Sequence, residues 1–303
     1  MAEIIGCMAM SHAPQLLTPS DKWPELPARA KGPFHPKAGI EAELTSEAMA
    51  AHAARCDSAI AALRERLALW APDTVVILGD DQEENILKDN MPPFTIFIED
   101  EVDATIKYRY FGEKETDQMT RYRVNGPLAN DVLAGLMENG FDPAWSRETR
   151  YHAGLGHAFG RVLNFLMPEA GTAIVPIMVN TYYPPAPSAK RCFEFGAALG
   201  RLIRASDKAG RVVMVGSGGL SHTKIDEQLD RDIIAALGSR DVDYLTGIPD
   251  EVLVAGTSEI RNWIAIAGAA ESGGTMIDYV PCYRNADGIG CAMGFAYWEQ
   301  KAA

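Results

Sequence analysis

The stretch Val212-Val213-Met214-Val215-Gly216-Ser217-Gly218-Gly219-Leu220-Ser221-His222 narrows the folds open to this chain more than any other. A continuous apolar run of buried-strand type empties into a glycine-rich turn, with a histidine just beyond it. Ile4 to Met10 does the same and ends in Ser11-His12, and Thr74–Leu78 ends in Gly79-Asp80-Asp81-Gln82. Strands buried on both faces belong to parallel or mixed sheets covered by helices. In such sheets ligands bind in the crevice beyond the carboxyl ends of the strands.

The segments between these runs supply the helices. Ser46 to Ala71 carries Met49, Ala53, Ile60, Leu63 and Leu67 as a helical stripe. Further helices are expected over Asn125–Asn139, His157–Leu166, Ser188–Arg204 (capped by Ser188), Asp226–Gly238 and Glu259–Glu271 (capped by Ser258). Strands are expected at Phe94–Ile98, Ala173–Asn180, Arg211–Val215, Met276–Val280 and Gly290–Trp298. Residues 13–45 hold Pro14, Pro19, Pro24, Pro27, Pro33 and Pro36 and read as one long irregular excursion. The expected fold is α/β: one domain over 1–303, a central mostly parallel or mixed sheet flanked by helices, and a site at the strand carboxyl ends.

Bulk properties exclude some partners. A net charge of −13 over 303 residues argues against nucleic acid and anionic membranes. No apolar run approaches membrane-spanning length. The five cysteines are scattered without a CxxC, as in reduced core residues of a cytoplasmic protein.

Six histidines are present, and a histidine at a strand end suits metal ligation or proton transfer near neutral pH. A hydrogen-bonded loop histidine is the plain alternative for each. Gly79-Asp80-Asp81-Gln82-Glu83-Glu84 concentrates hard oxygen donors that suit a divalent metal, although alone it reads equally as a solvated acidic turn. Glu259, at an expected helix start, has a competing explanation in the helix dipole. The Gly216–Gly219 turn can wrap an anion with its N–H groups, but it lacks the Lys-Ser/Thr ending of a P-loop.

Taken in order, Ser11-His12-Ala13-Pro14, Val75–Gln82, Met91-Pro92-Pro93-Phe94, Gly156-His157-Ala158, Val179-Asn180 and the Tyr-Pro-Pro after it, Pro187-Ser188-Ala189-Lys190-Arg191-Cys192-Phe193, Gly216–His222 and Gly256-Thr257-Ser258-Glu259-Ile260 cover most of the chain. Their order resembles the class III extradiol ring-cleavage dioxygenases, the family of the protocatechuate 4,5-dioxygenase catalytic subunit. The resemblance implies a non-haem Fe(II) held by two histidines and a glutamate, with open positions for substrate and O2. By position, His12 and Glu259 would be ligands, His222 the acid/base residue, and His157 a histidine contacting substrate. The family's Asp-His at the end of the second strand reads Asp81-Gln82 here. The third donor is therefore expected from Gln82, from Asp81 or Glu83, or from His52 on the adjacent helix, which is the favoured choice because it restores two histidines. The Gly-Asp-Asp-Gln turn is similar to that of relatives acting on 3-O-methylgallate, which points to gallate-, 3-O-methylgallate- or protocatechuate-type aromatic acids as substrates.

Arg29 and Lys31 in the excursion, and Ser221 beside His222, are candidate substrate contacts. The resemblance also implies a homo-oligomer. It leaves open a small companion subunit, which relatives use, carry fused or lack; no C-terminal extension here would serve as a fused one. The competing readings are a Zn-dependent enzyme on the same scaffold, such as a hydrolase, and a non-catalytic member that binds a small aromatic molecule.

Overall fold

In the computed structural model, residues 1–27, 37–105 and 119–300 are described. Among them, four parallel strands form the centre of the sheet: β1 (Glu3–Met10), β2 (Thr74–Gly79), β7 (Ala173–Val179) and β8 (Arg211–Ser217), in the spatial order β1-β8-β2-β7. Beyond β7 lie antiparallel β3 (Phe94–Phe97) and then β6 (Ala144–Ser146). At the other edge, β11 (Ile289–Glu299) pairs antiparallel with β1, with β10 (Thr275–Tyr283) and with the short β9 (His222–Lys224). In a separate two-stranded sheet, β4 (Glu101–Thr105) pairs antiparallel with β5 (Met119–Arg123).

The central strands send alternate residues into two cores, as a period of two requires. Cys7, Ala9, Val76, Leu78, Val175, Ile177, Val212 and Met214 face one side of the sheet. That side is covered by α2 (Gly126–Glu138), α4 (Ala189–Ala205), α5 (Glu227–Ser239), α6 (Val242–Gly247) and α7 (Ile260–Ala269). Met8, Met10, Val75, Ile77, Ile174, Met178, Val213 and Val215 face the other, under α1 (Ser46–Trp70) and α3 (His157–Leu166). Both faces are dry, so the strands read as unbroken apolar runs rather than alternating ones.

Helix starts follow local chemistry. Thr45, Asn125, Ser188, Asp226 and Asp241 each accept a backbone N–H of the first turn with their side chains. Ser258 does not: a 3-10 turn spans Ala255–Glu259, α7 begins at Ile260, and the Ser258 hydroxyl has no partner among the described residues. The excursion resolves into 3-10 turns at Pro14–Leu17, Ser20–Glu25 and Ile40–Leu44, pinned by buried Trp23 and Ile40.

Parallel pairing has one consequence for function. Register partners Met10 and Ser217, and Leu78 and Gly216, put the ends of β1, β8 and β2 at one edge. Whatever follows each strand meets there: His12, the Gly218–His222 turn, and Asp80 to Gln82.

Candidate metal centre and cavity

Five of the sequence-derived candidates, His12, Gln82, His157, His222 and Glu259, converge at this edge. His12 Nε2 lies 3.6 Å from Glu259 Oε2, and His222 Nε2 lies 3.1 Å from Glu259 Oε1. Gln82 reaches the same carboxylate, its Nε2 3.4 Å from Glu259 Oε1, and also donates to Asp80 Oδ2 at 3.1 Å. A cavity opens over them, lined also by Arg161, Tyr182, Arg284 and Cys291.

Glu259 projects from the turn before α7 into the strand-end crevice instead of serving as a first-turn acid. Its side chain is 2% exposed. Gly219 N–H donates to its Oε2 at 2.9 Å, so the anion wrapped by the glycine turn is this carboxylate. The fit demands glycine: Gly218 has φ 152°, and a Cβ there would meet Glu259 Cβ at 2.8 Å. Trp263 Nε1 and Asn262 Nδ2 donate to the carbonyls of Gly218 and Ser217 and lock the turn to α7. Burial alone would raise Glu259, but His222 and then His12 override it and hold the carboxyl well below its usual range.

Hydrogen bonds fix which nitrogen each histidine presents. Ser217 gives its hydroxyl proton to Ala158 O, so its oxygen accepts from His12 Nδ1 at 2.9 Å, leaving the His12 Nε2 lone pair facing Glu259. His222 Nδ1 donates to Leu220 O at 2.8 Å, so Nε2 is its exchanging nitrogen. Burial opposes charge on His222, yet Glu259 outweighs it and raises its pKa well above the ordinary value. The His222 side chain is 17% exposed, against 4% for His12, making it the more accessible ring.

His157 opens α3, with its ring 5.0 Å from that of His12 in an edge-to-face arrangement. Its Nδ1 meets both oxygens of Glu84, at 3.0 and 3.1 Å, and its backbone N–H donates to the same carboxylate. Burial opposes a charge on His157, and Glu84 raises its pKa in spite of that. Sequence reasoning placed Glu84 only among the carboxylates of the turn. Its role as the partner of His157 depends on an approach from another element, 73 residues away.

Other candidates sit elsewhere. His52, on α1, places Nε2 3.3 Å from Glu43 Oε2 and does not line the cavity. The structure therefore does not bring the favoured third donor to His12 and Glu259, because α1 turns that ring toward the 3-10 turn at Ile40–Leu44. Ser221 is fully buried and donates its hydroxyl to Asp230 Oδ2 at 2.7 Å, turned away from the cavity. Asp81 spends both oxygens on the N–H groups of Glu84, Asn85 and Ile86, and Glu83 pairs with Lys88. Arg29 and Lys31 lie outside the described residues.

Sequence reasoning placed Asp80 only among the oxygen donors of the turn and did not single it out. It is fully buried, and its Oδ1, 4.0 Å from His12 Nε2, has no hydrogen bond among the described residues. Burial first, and then the nearby Glu259 charge, push its pKa up to about 6. Donor atoms of His12, Asp80 and His157 lie within 4.8 Å of one another, a spacing that can hold a metal ion. A buried oxygen without a donor, facing an imidazole lone pair, fits a cation.

Residues 7–289 match the family described as the catalytic LigB subunit of aromatic ring-opening dioxygenase. The 2,3-dihydroxyphenylpropionate/2,3-dihydroxicinnamic acid 1,2-dioxygenases of Escherichia coli strains K12 and O8 (IAI1) are 32% identical over 164 residues. The alignment covers 54% of this chain and 48% of the relative in each case, so it spans about half the length of these relatives. A crystal structure of the uncharacterized protein JW3007 from Escherichia coli K12 has the same fold, with a TM-score of 0.51, 11% identity, and coverage of 97% of this chain and 99% of that one.

Proposed function

Because the chain belongs to the family of catalytic LigB subunits of aromatic ring-opening dioxygenases, we propose that it opens the ring of a catecholic or methoxylated aromatic acid, of gallate, 3-O-methylgallate or protocatechuate type, with O2 and Fe(II). The observation that carries this reading is the Glu259 carboxylate lodged between His12 and His222 at the strand ends. His12 Nε2 and Glu259 would hold the metal. When bound, Fe(II) would bring the diol and O2 into one coordination sphere and mediate electron flow between them.

The chain's own residues manage protons and charge. With the Glu259 charge engaged by the metal and no longer holding a proton on His222, His222 would take the phenolic proton through Nε2 as substrate enters and return a proton as the ring opens. Its Nδ1–H stays hydrogen-bonded to Leu220 O throughout, so the ring keeps one orientation. His157, whose cationic form Glu84 favours, stabilises negative charge on a ring oxygen. Leu26, Pro14 and Tyr182 supply apolar walls against which an aromatic ring can pack.

The test is oxygen uptake by anaerobically purified, Fe(II)-loaded protein offered gallate-type and catechol-type substrates. One O2 consumed per ring opened is expected. His222→Ala should abolish turnover while iron stays bound. Stoichiometric zinc in the protein as isolated, with no O2 uptake on any diol, would overturn the reading.

A further inference from the structure

Asp80 has no part in the proton chemistry above, and its burial needs an explanation. A carboxylate without solvent or a full set of donors costs several kcal/mol unless a cation compensates it. Gln82 satisfies Oδ2 alone; Oδ1 faces His12 Nε2 across 4.0 Å. That nitrogen is also 3.6 Å from Glu259 Oε2. Two donors each about 2.1 Å from one ion lie roughly 3.0 Å apart at a right angle and about 4.2 Å apart when opposed. Both observed separations fall inside that window.

The remaining donors of the turn are committed or misdirected. Asp81 caps its own loop, Glu83 pairs with Lys88, and the Gln82 amide nitrogen bridges two carboxylates. We propose that Asp80 Oδ1, His12 Nε2 and Glu259 form a divalent-cation site of one histidine and two carboxylates, in which Gln82 orients the carboxylates without ligating. The proposal rests on the metal-dependent reading above and names the third donor for it. Two carboxylates neutralise a divalent ion, and an oxygen-rich set favours hard Mn(II) and Fe(II).

The test uses Mn(II) alone as probe, titrated into the metal-free full-length protein, with free Mn(II) read by electron paramagnetic resonance. The wild type should bind one equivalent. Asp80→Asn should weaken binding at least about tenfold, the low end of what even an outer-shell partner of a metal site is worth. Gln82→Leu, which removes only an orienting partner, should weaken binding less than Asp80→Asn does, and His52→Ala should stay within about threefold of wild type. Asp80→Ser, smaller and equally neutral, repeats the measurement should the asparagine variant fold poorly. Wild-type-like affinity in both Asp80 variants, or a loss in Gln82→Leu as large as in Asp80→Asn, overturns the proposal while leaving the function intact. Failure of the wild type to bind Mn(II) or Fe(II) would instead sink the metal-dependent reading itself.

Discussion

The ring of His222 is held between two glycines, which makes Gly256→Ala a sharp probe of its role. A Cβ on Gly256 would sit 2.0 Å from His222 Cδ2 and 2.4 Å from Nε2. On the other face, a Cβ on Gly219 would meet Nδ1 at 2.9 Å, so there is little room to retreat. Ordinary contact begins near 3.4 Å, so the ring must move by about 1.4 Å or the turn before α7 must shift. A misplacement of roughly 1 Å costs about a hundredfold in rate, or about 2.7 kcal/mol in the barrier. The expectation is a drop in kcat/KM of about two orders of magnitude, carried by kcat. Where the ring yields and the turn holds, Glu259 stays in place with His12 and Asp80, and Mn(II) affinity should change little. Steady-state oxygen uptake with the preferred diol reads the first quantity, and the Mn(II) titration reads the second. A kcat/KM within threefold of wild type, in a variant that melts normally, would refute placement of the acid/base group at His222.

Glu84→Gln keeps the shape of the partner of His157 but removes its charge. Burial then loses its main opponent and the His157 pKa should fall, so the alkaline limb of the kcat/KM profile should move to lower pH; an unmoved limb would exclude His157 as the titrating group. The same pair sets a stability window. The contribution of raised His157 is full below its unfolded value and fades as pH rises through the folded one, while that of lowered Glu84 is present above its unfolded 4.5 and fades as pH falls; denaturant midpoints of wild type and Glu84→Gln should therefore differ most between about pH 5 and 6.5. Asp80, raised from 3.8 to about 6, acts in the opposite sense: the folded state binds its proton more tightly, so stability is lost as pH rises through that interval. Metal-free Asp80→Asn should lack this loss, gaining on the order of 3 kcal/mol relative to wild type between pH 4 and 7; equal pH slopes in denaturant titrations would contradict it. In the scaffold, a Cβ on Gly196 would stand 1.7 Å from Ala265 O at the contact of α4 with α7, so Gly196→Ala should destabilise by about 3 kcal/mol or more, and an unchanged melting temperature would show that the helices do not meet this closely.

Much of this arrangement is legible in the sequence because its rules are local. The apolar runs at Ile4–Met10, Thr74–Leu78 and Arg211–Val215 place the strands, and Thr45, Ser188 and Asp226 cap their helices as their hydroxyl or carboxylate chemistry dictates. The strand-end crevice follows from parallel pairing, so His12, His222 and Glu259 can be expected to meet before their distances are known. The short strands β4, β5, β6 and β9 are not legible, because their pairing depends on partners far along the chain rather than on pattern. His52 fails for a related reason. Periodicity assigns it to α1, but the choice between the crevice and Glu43 is made by how α1 packs.

Asp80 escapes notice because it is read as one member of an acidic run, and such runs ordinarily face water. Only burial separates its carboxylate from its neighbours: Asp81 turns back to cap the loop, Glu83 leaves for Lys88, Glu84 crosses to His157, and Asp80 alone keeps an oxygen in the crevice. Asp80 and Gln82 stand two positions apart just past β2, and their side chains touch at 3.1 Å. With Asp80 as the proposed donor, a ligand position at this edge is not tied to one residue of the turn. A donor can pass from the third residue after the strand to the first without altering a backbone hydrogen bond of the sheet. Introducing a histidine by Gln82→His should consequently restore Mn(II) binding in the Asp80→Asn background, since the imidazole would enter the same crevice from two residues away. Retention of the Asp80→Asn defect in the double variant would show that the two positions address different points in space, and that the turn admits only one donor geometry.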